Sequence, residues 1–333
     1  MIHHRNIALF VPHEGCPHCC SFCNQKTISG SSIKPHAKDV DEAIKTALET
    51  GGKGGQLAFF GGSFTAIERE YMLELLKAAK KHIDLGNIDS VRISTRPDAI
   101  NSEIIDILKE YGVSSVELGA QSMDDEVLLM NRRGHTAEDV VRASRMIKEA
   151  GIELGLQMMT GLYGDTKEKA LRTGEKIAAL CPDTVRIYPT IVIEGTELAR
   201  LMKNGKYIPQ SIDEAVEICA SLLLMFHEKN INVIRCGLHS GGGVEEGYLG
   251  GPWHPAFKEL CQSRIYLDKA LEAVKGEKGK YRFRVKPSAL SQMMGQKKSN
   301  IAVLREKGIF PEIVPDPTVS EYKVTAEKIT EEC

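Results

Sequence analysis

No stretch of this chain approaches the length of apolar residues needed to span a membrane, and the apolar run near its start, residues 7–12, is too short for the core of a secretion signal. An excess of one charge is also missing. Lys and Arg number 43 and Asp and Glu 45, leaving −2, which excludes a protein that holds nucleic acid through bulk charge. Internal repeats and low-complexity tracts are absent, and tryptophan occurs once, at Trp253. The cysteines lack pairing logic. Cys181, Cys219, Cys236, Cys261 and Cys333 stand singly, so a disulfide framework is excluded for a chain of this size, and the expected compartment is the cytoplasm. With 333 residues, 42% hydrophobic and 26% charged, there is room for one large domain and a small one.

What is present in abundance is thiol, in one place. The remaining four cysteines fall within Gly15-Cys16-Pro17-His18-Cys19-Cys20-Ser21-Phe22-Cys23. Read as Cys16, Cys20 and Cys23 the spacing is C-x3-C-x2-C; read through Cys19 it is C-x2-C-x3-C. Three thiolates on so short a loop hold three irons of a cubic iron–sulfur cluster and leave the fourth iron open to a chelating substrate. The competing reading is zinc, since Cys16-x2-Cys19 is a half-site, but the second half-site that a closed zinc site needs is missing.

Around this loop, short apolar runs at residues 6–11, 56–60, 90–95, 115–118, 153–158, 184–188 and 232–235 alternate with amphipathic stretches at 40–50, 68–82, 102–111, 137–150, 167–179 and 212–229. That alternation predicts an α/β fold with a parallel sheet. Polar, glycine-rich segments follow the strands: the cysteine loop, Gly61-Gly62-Ser63-Phe64-Thr65, Arg96-Pro97-Asp98, Gly119-Ala120-Gln121-Ser122 and Thr160-Gly161-Leu162. Functional loops at successive carboxyl ends are the barrel pattern, so the expected fold is a partial (β/α)6 TIM-like barrel, with a full barrel and a doubly wound sheet as the open alternatives. The expected boundaries are a barrel core over 1–260, a small basic α+β domain over 261–325 and a frayed tail over 326–333.

Gly61 and Gly62 let backbone approach a ligand closely. Gln121, at a strand end, suits a ribose diol or serves as a capping amide, Arg133 suits a carboxylate or makes a surface ion pair, and Gln157, at the end of the next strand, would face the same cavity. Met158 and Met159 read as core packing.

The cysteine loop followed one strand later by the Gly-Gly turn resembles the radical S-adenosylmethionine (SAM) enzymes. The resemblance implies a [4Fe-4S] cluster on Cys16, Cys20 and Cys23, with Cys19 beside it. SAM would be chelated at the open iron and cleaved by one electron to a 5′-deoxyadenosyl radical, which requires an external reductant. Ile93-Ser94-Thr95-Arg96-Pro97-Asp98, Glu117–Ser122, Arg133–Thr136 and Arg186-Ile187-Tyr188-Pro189-Thr190-Ile191-Val192-Ile193-Glu194-Gly195-Thr196-Glu197-Leu198 narrow it: over residues 5–260 the chain resembles the radical SAM core of the Elongator catalytic subunit, which modifies the wobble uridine of tRNA. By that resemblance Gly61, Gly62 and Ser63 face the SAM amino group, Gln121 and Gln157 its ribose, Arg133 its carboxylate and Tyr188 to Ile191 its adenosine. Ser63 stands where many members carry Glu. The first two cluster cysteines are closer together than in that subunit, and 333 residues leave no room for its acetyltransferase domain, so the acetyl-transfer half is not carried over. A coproporphyrinogen-oxidase-like enzyme acting on a small metabolite, and a non-catalytic zinc-stabilised RNA-binding protein, are the rival readings.

Two segments remain. Residues 264–310 hold twelve Lys/Arg against four Asp/Glu. Within them Val285–Ile301 resembles the centre of a KH domain, where a G-x-x-G loop between two helices clamps a single-stranded RNA backbone. Gly295 takes the first glycine position, Lys297 lies beside it, and Lys298 replaces the second glycine; a plain barrel cap is the alternative. Gly251-Pro252-Trp253-His254-Pro255 reads either as a packed loop anchor or as a lid bringing His239 and His254 near substrate.

Overall fold

The computed structural model describes residues 6–11, 20–24, 34–238, 245 and 247–330. All seven apolar runs become strands of one sheet: β1 (Asn6–Val11), β2 (Gln56–Gly61), β3 (Ser90–Thr95), β4 (Val113–Gln121), β5 (Glu153–Thr160), β6 (Thr184–Pro189) and, after the two-residue β7 (Val192–Ile193), β8 (Asn232–Cys236). They lie in the order β1-β2-β3-β4-β5-β6-β8, and every pairing is parallel. The Arg186 guanidinium of β6 sits 5.8 Å over the Phe60 ring of β2, although three strands separate them, so the sheet curls into a half-barrel. This is the partial barrel expected from the sequence, with all seven predicted runs in the sheet where a (β/α)6 barrel would hold six strands.

The helices follow from periodicity and caps. α1 (Ala37–Gly51) buries Val40, Ile44 and Ala47, one apolar stripe at helical spacing. α2 (Arg69–Asp84), α3 (Ser102–Glu110), the short α4 (Asp125–Met130), α5 (Ala137–Glu149) and α6 (Lys167–Ala179) continue the alternation; α7 (Glu197–Lys203) and α8 (Ile212–Glu228) precede β8. Thr136 with Asp139, and Ser211 with Glu214, form capping boxes that fix the starts of α5 and α8. Strand alternation sorts the two faces. In β3, Val91, Ile93 and Thr95 are buried, while Ser90, Arg92 and Ser94 are half-buried. The outer face thus packs on helices and the inner, concave face keeps polar side chains.

β9 (Tyr248–Gly250) pairs antiparallel with β7, and Trp253 packs against Ile191, Ile193 and Leu238. Trp253 is therefore a loop anchor. The His254 ring accepts from the Ala256 amide at 3.0 Å, and His239 lies outside the described residues.

α9 (Phe257–Ala273) runs across the boundary expected at 260/261. The chain then forms β10 (Gly279–Val285), α10 (Leu290–Met294), α11 (Ser299–Glu306) and β11 (Ile309–Pro315). β10 and β11 pair in parallel, and Tyr281, Phe283 and Val285 join the same hydrophobic core as the barrel. One element corrects the expectation of a frayed tail: β12 (Thr325–Lys328) pairs antiparallel with β10. It is a four-residue polar edge strand, mostly exposed, with no apolar alternation to read.

Candidate active site

The curled sheet gathers the expected residues at one end. Gly61 ends β2 with φ +125°, and a Cβ there would lie 2.1 Å from the Val11 carbonyl oxygen, so only glycine fits this crossing of two strand ends. The Gly62 amide donates to the same carbonyl at 3.3 Å. Ser63 is buried. Its hydroxyl pairs with Thr95 Oγ1 at 2.9 Å and accepts from the Arg96 amide at 3.1 Å, so its side chain joins the ends of β2 and β3.

At the end of β4 the ladder with β5 shifts register between Gly119 and Gln121, and Gln121 takes a left-handed backbone at φ 63°. A bulge of this kind re-aims a side chain. Here Gln157 Nε2 of β5 donates to Gln121 Oε1 at 3.1 Å, which joins the two expected glutamines. Tyr188 lies on β6, half-buried, with its hydroxyl accepting from Arg186 Nη1 at 3.4 Å.

Arg133 follows α4 and is buried. Its Nη1 donates to Cys20 Sγ at 3.2 Å and its Nη2 to the Gly119 carbonyl at 2.8 Å, while Nε has no acceptor among the described residues. Cys16 and Cys19 lie outside the described residues. The loop after Cys20 is held by a residue to which the sequence assigned no role. The Ser21 hydroxyl donates to Asn131 Oδ1 at 2.6 Å, the Ser21 amide donates to the Asn131 carbonyl at 3.1 Å, and the Leu198 amide donates to the Ser21 carbonyl at 2.7 Å. Asn131 Nδ2 in turn donates to the Tyr163 carbonyl at 2.8 Å. No local pattern marks Asn131, because its role exists only once β1, α4 and the loop after β5 meet.

Two buried ionisable groups flank the site. Desolvation, then the Arg133 charge, pushes the His135 imidazole down to about 4, with Nε2 at 3.2 Å from the Ala120 carbonyl. Burial pushes the Asp165 carboxyl up to about 6, although it accepts the Gly161 and Thr166 amides. The cysteines that are single in sequence also change status. Cys219, Cys236 and Cys261 are all buried in the core, where their thiols perturb one another: the Cys219 pKa is lowered, that of Cys236 is raised and, with burial as the larger cause, that of Cys261 is raised.

The result is a parallel half-barrel whose carboxyl-terminal rim brings a cysteine loop against a buried arginine and a glutamine pair, which defines a cofactor-binding barrel. A family model for the Radical SAM superfamily matches residues 10–177, and one for the radical SAM C-terminal domain matches 182–267. The chain belongs to the radical SAM superfamily and is an enzyme of that class. The tRNA uridine(34) acetyltransferase of Methanocaldococcus jannaschii is 32% identical over 183 residues, 49% of this chain and 34% of that protein. Human Elongator complex protein 3 is 29% identical over 185 residues, with 50% and 34% covered. An N-terminally truncated Elp3 of Methanocaldococcus infernus shares the fold with TM-score 0.64 and 23% identity, covering 80% of this chain and 63% of that one. The chain thus spans about a third of the length of those two curated relatives.

The family's cofactors are a [4Fe-4S] cluster and SAM, and the residues fit them. Thiolates are soft donors suited to iron, and a guanidinium donating to the Cys20 sulfur is the kind of outer contact that would orient that thiolate toward a metal.

Proposed function

We propose that this chain cleaves SAM reductively and turns the resulting radical on a nucleoside of RNA, with tRNA as the leading substrate. The observation that carries the reading is the position of Arg133, which links Cys20 to the carbonyl of Gly119, itself in register with Gln157 of the glutamine pair. The cysteine loop and the polar ends of β4 and β5 therefore meet at one end of the barrel.

In this reading Cys16, Cys20 and Cys23 hold the cluster, which when bound supplies the electron that breaks the SAM carbon–sulfur bond. The carbonyls of Gly61, Gly62 and Ser63 take the SAM ammonium. Gln121 and Gln157 take the ribose diol, Arg133 the carboxylate, and Tyr188 lies along the adenosine. Arg133 has a free Nε–H to give without leaving Gly119. The protein's work is to fix the reactive carbon and exclude water.

The C-terminal unit carries the RNA contact. Its β10–α10–loop–α11–β11 order sets two helices either side of Gly295-Gln296-Lys297-Lys298, and Gly295 at φ +76° leaves no room for a Cβ, which would meet Ser299 Oγ at 2.4 Å. Lys297 and Lys298 are exposed and have no acidic partner among the described residues. Lys side chains so placed suit a phosphate backbone. No helix of the described residues is long and apolar enough to cross a membrane, and a cytoplasmic enzyme with an external one-electron reductant completes the reading.

The test is anaerobic reconstitution with iron and sulfide, reduction with dithionite in the presence of SAM and bulk tRNA, and chromatography for 5′-deoxyadenosine. Its appearance, with loss in Cys20→Ala, supports the reading. A protein that takes up zinc and no iron–sulfur cluster overturns it.

A further inference from the structure

We infer that the concave face of the barrel carries an anion subsite, built by Arg186 and Arg235 with Arg92 behind them, for a phosphate or carboxylate of the molecule that fills the barrel. Arg186 of β6 and Arg235 of β8 are register partners on neighbouring parallel strands, so their side chains leave the same face. That face is the concave one, because Arg186 reaches Phe60 of β2 across the curl.

Charge on this face does not close. Arg92 Nη1 and Arg186 Nη2 donate to the same oxygen, Glu117 Oε1, each at 2.8 Å. The second carboxylate, Glu153 of β5, lies 3.8 Å from Arg92 Nη2 and sits deeper in the barrel, at the amino-terminal end of the strand whose Gln157 is level with Arg186 and Arg235. Arg235 gives its Nε–H to the Gly237 carbonyl at 3.0 Å and makes no ion pair among the described residues. Arg186 keeps a buried Nε–H with no acceptor among the described residues. Among the described residues three guanidiniums thus face two carboxylates, and the excess sits between Arg186 and Arg235.

An arginine closed by a neighbouring carboxylate looks different. Arg96 is closed by Asp98 through two bonds, Nε to Oδ1 at 3.0 Å and Nη2 to Oδ2 at 2.7 Å. Two like charges in register cost stability, and a buried donor without acceptor costs more. A small oxoanion removes both costs, since guanidinium forks match phosphate and carboxylate oxygens. The position suits a substrate group: Gly119, Gln157, Arg186 and Arg235 are successive register partners across β4, β5, β6 and β8. The anion would then sit level with Gln157, whose amide holds Gln121. The inference rests on the proposed function only for the source of the anion, a nucleotide phosphate or the carboxylate of a small co-substrate.

The experiment is anaerobic calorimetric titration of the full, cluster-loaded chain with uridine 5′-monophosphate, uridine and succinate at fixed chloride. The variants are Arg235→Gln, Arg235→Lys and Arg186→Gln. Uridine 5′-monophosphate should bind at least about tenfold tighter than uridine if the source is a phosphate, and succinate should show the binding if it is a carboxylate. Arg235→Gln should abolish that advantage and Arg235→Lys restore part of it. Arg186→Gln frees Glu117 from one partner and is open to misfolding; Arg235→Gln breaks no ion pair and carries the test alone. Wild-type affinity for both anions no better than for uridine, or unchanged by Arg235→Gln, overturns the subsite. 5′-Deoxyadenosine formation is scored on the same preparations. Arginine-dependent anion binding without 5′-deoxyadenosine keeps the subsite and removes the proposed function; 5′-deoxyadenosine without anion binding does the reverse.

Discussion

The barrel rim and the C-terminal lysine loop are both polar, and they are built in opposite ways. At the rim, Ser63, Thr95, Gln121 and Arg133 are buried, and each is held by a residue from another strand or loop. On the loop, Lys297 and Lys298 are exposed, lack acidic partners among the described residues, and both hold left-handed backbones at φ 52° and 64°. The rim is preorganised for a small ligand whose atoms must be fixed to fractions of an ångström. The loop offers charge in water, which suits a polyanion recognised by its field.

The largest expected effect is at the rim. Cys20→Ala removes a proposed cluster ligand and leaves the Arg133 Nη1–H without its acceptor. Visible absorbance after reconstitution should vanish, and the unmade bond alone should cost about 1–3 kcal/mol in urea unfolding. A brown, fully loaded Cys20→Ala protein would mean that the rim is not the cluster site.

Next is Gly61→Ala. The new Cβ would meet backbone, the Val11 carbonyl at 2.1 Å, and φ +125° is strained for any L side chain. Neither end can yield without parting β1 from β2. A loss of about 4 kcal/mol or more is expected, read as the urea midpoint, whereas a change under about 1 kcal/mol would show that the crossing is loose.

The rim should also carry a pH signature that the loop lacks. The folded His135 imidazole sits at about 4 against an ordinary 6.5, so the unfolded chain binds the extra proton first. His135 therefore contributes stability that is complete above about pH 6.5 and is lost as pH falls toward 4, about 3 kcal/mol over the whole window. The full chain and His135→Gln should differ in the slope of stability between pH 7.5 and 5.5, and parallel slopes would refute the assignment.

How much of this was legible differs between the regions for the same reason. The seven strands, the long helices and the residues of the rim are local patterns: short apolar runs, amphipathic stretches, a glycine pair after a strand. The Gly295–Lys298 loop is local too. What stayed hidden depends on the curl of the sheet. Val91-Arg92-Ile93 and Val185-Arg186-Ile187 carry an arginine on the face opposite their apolar neighbours, a visible signal, but that both reach Glu117, Arg92 from the neighbouring strand and Arg186 across β5, follows only from the assembled sheet. Asn131 and the Cys219–Cys236–Cys261 cluster are likewise products of tertiary contact, and β12 is too short and polar to announce itself.

Reversing the loop's charge sharpens the comparison from the other side. Lys297→Glu with Lys298→Glu should weaken binding of a single-stranded RNA about 10–100-fold and flatten the salt slope by about 1.4, two contacts at 0.7 each. Folding and cluster loading should stay as they were. Unchanged RNA affinity would make the C-terminal unit a barrel cap.

The smallest effect is the most discriminating, because it runs in opposite directions for stability and binding. Lys298 occupies the second glycine position of the loop and initiates α11 from the left-handed region. A side chain there bears a backbone penalty that glycine does not, of about 1–2 kcal/mol, partly offset by the greater freedom glycine gives the unfolded chain. Lys298→Gly should therefore raise stability by about 0.5–1 kcal/mol. The same change removes one charge, and RNA should bind a fewfold less tightly with the salt slope reduced by about 0.7. A loop that merely caps the barrel predicts the gain in stability and no change in RNA affinity. A loop that trades strain for phosphate contact predicts both, so the sign of the second measurement decides between them.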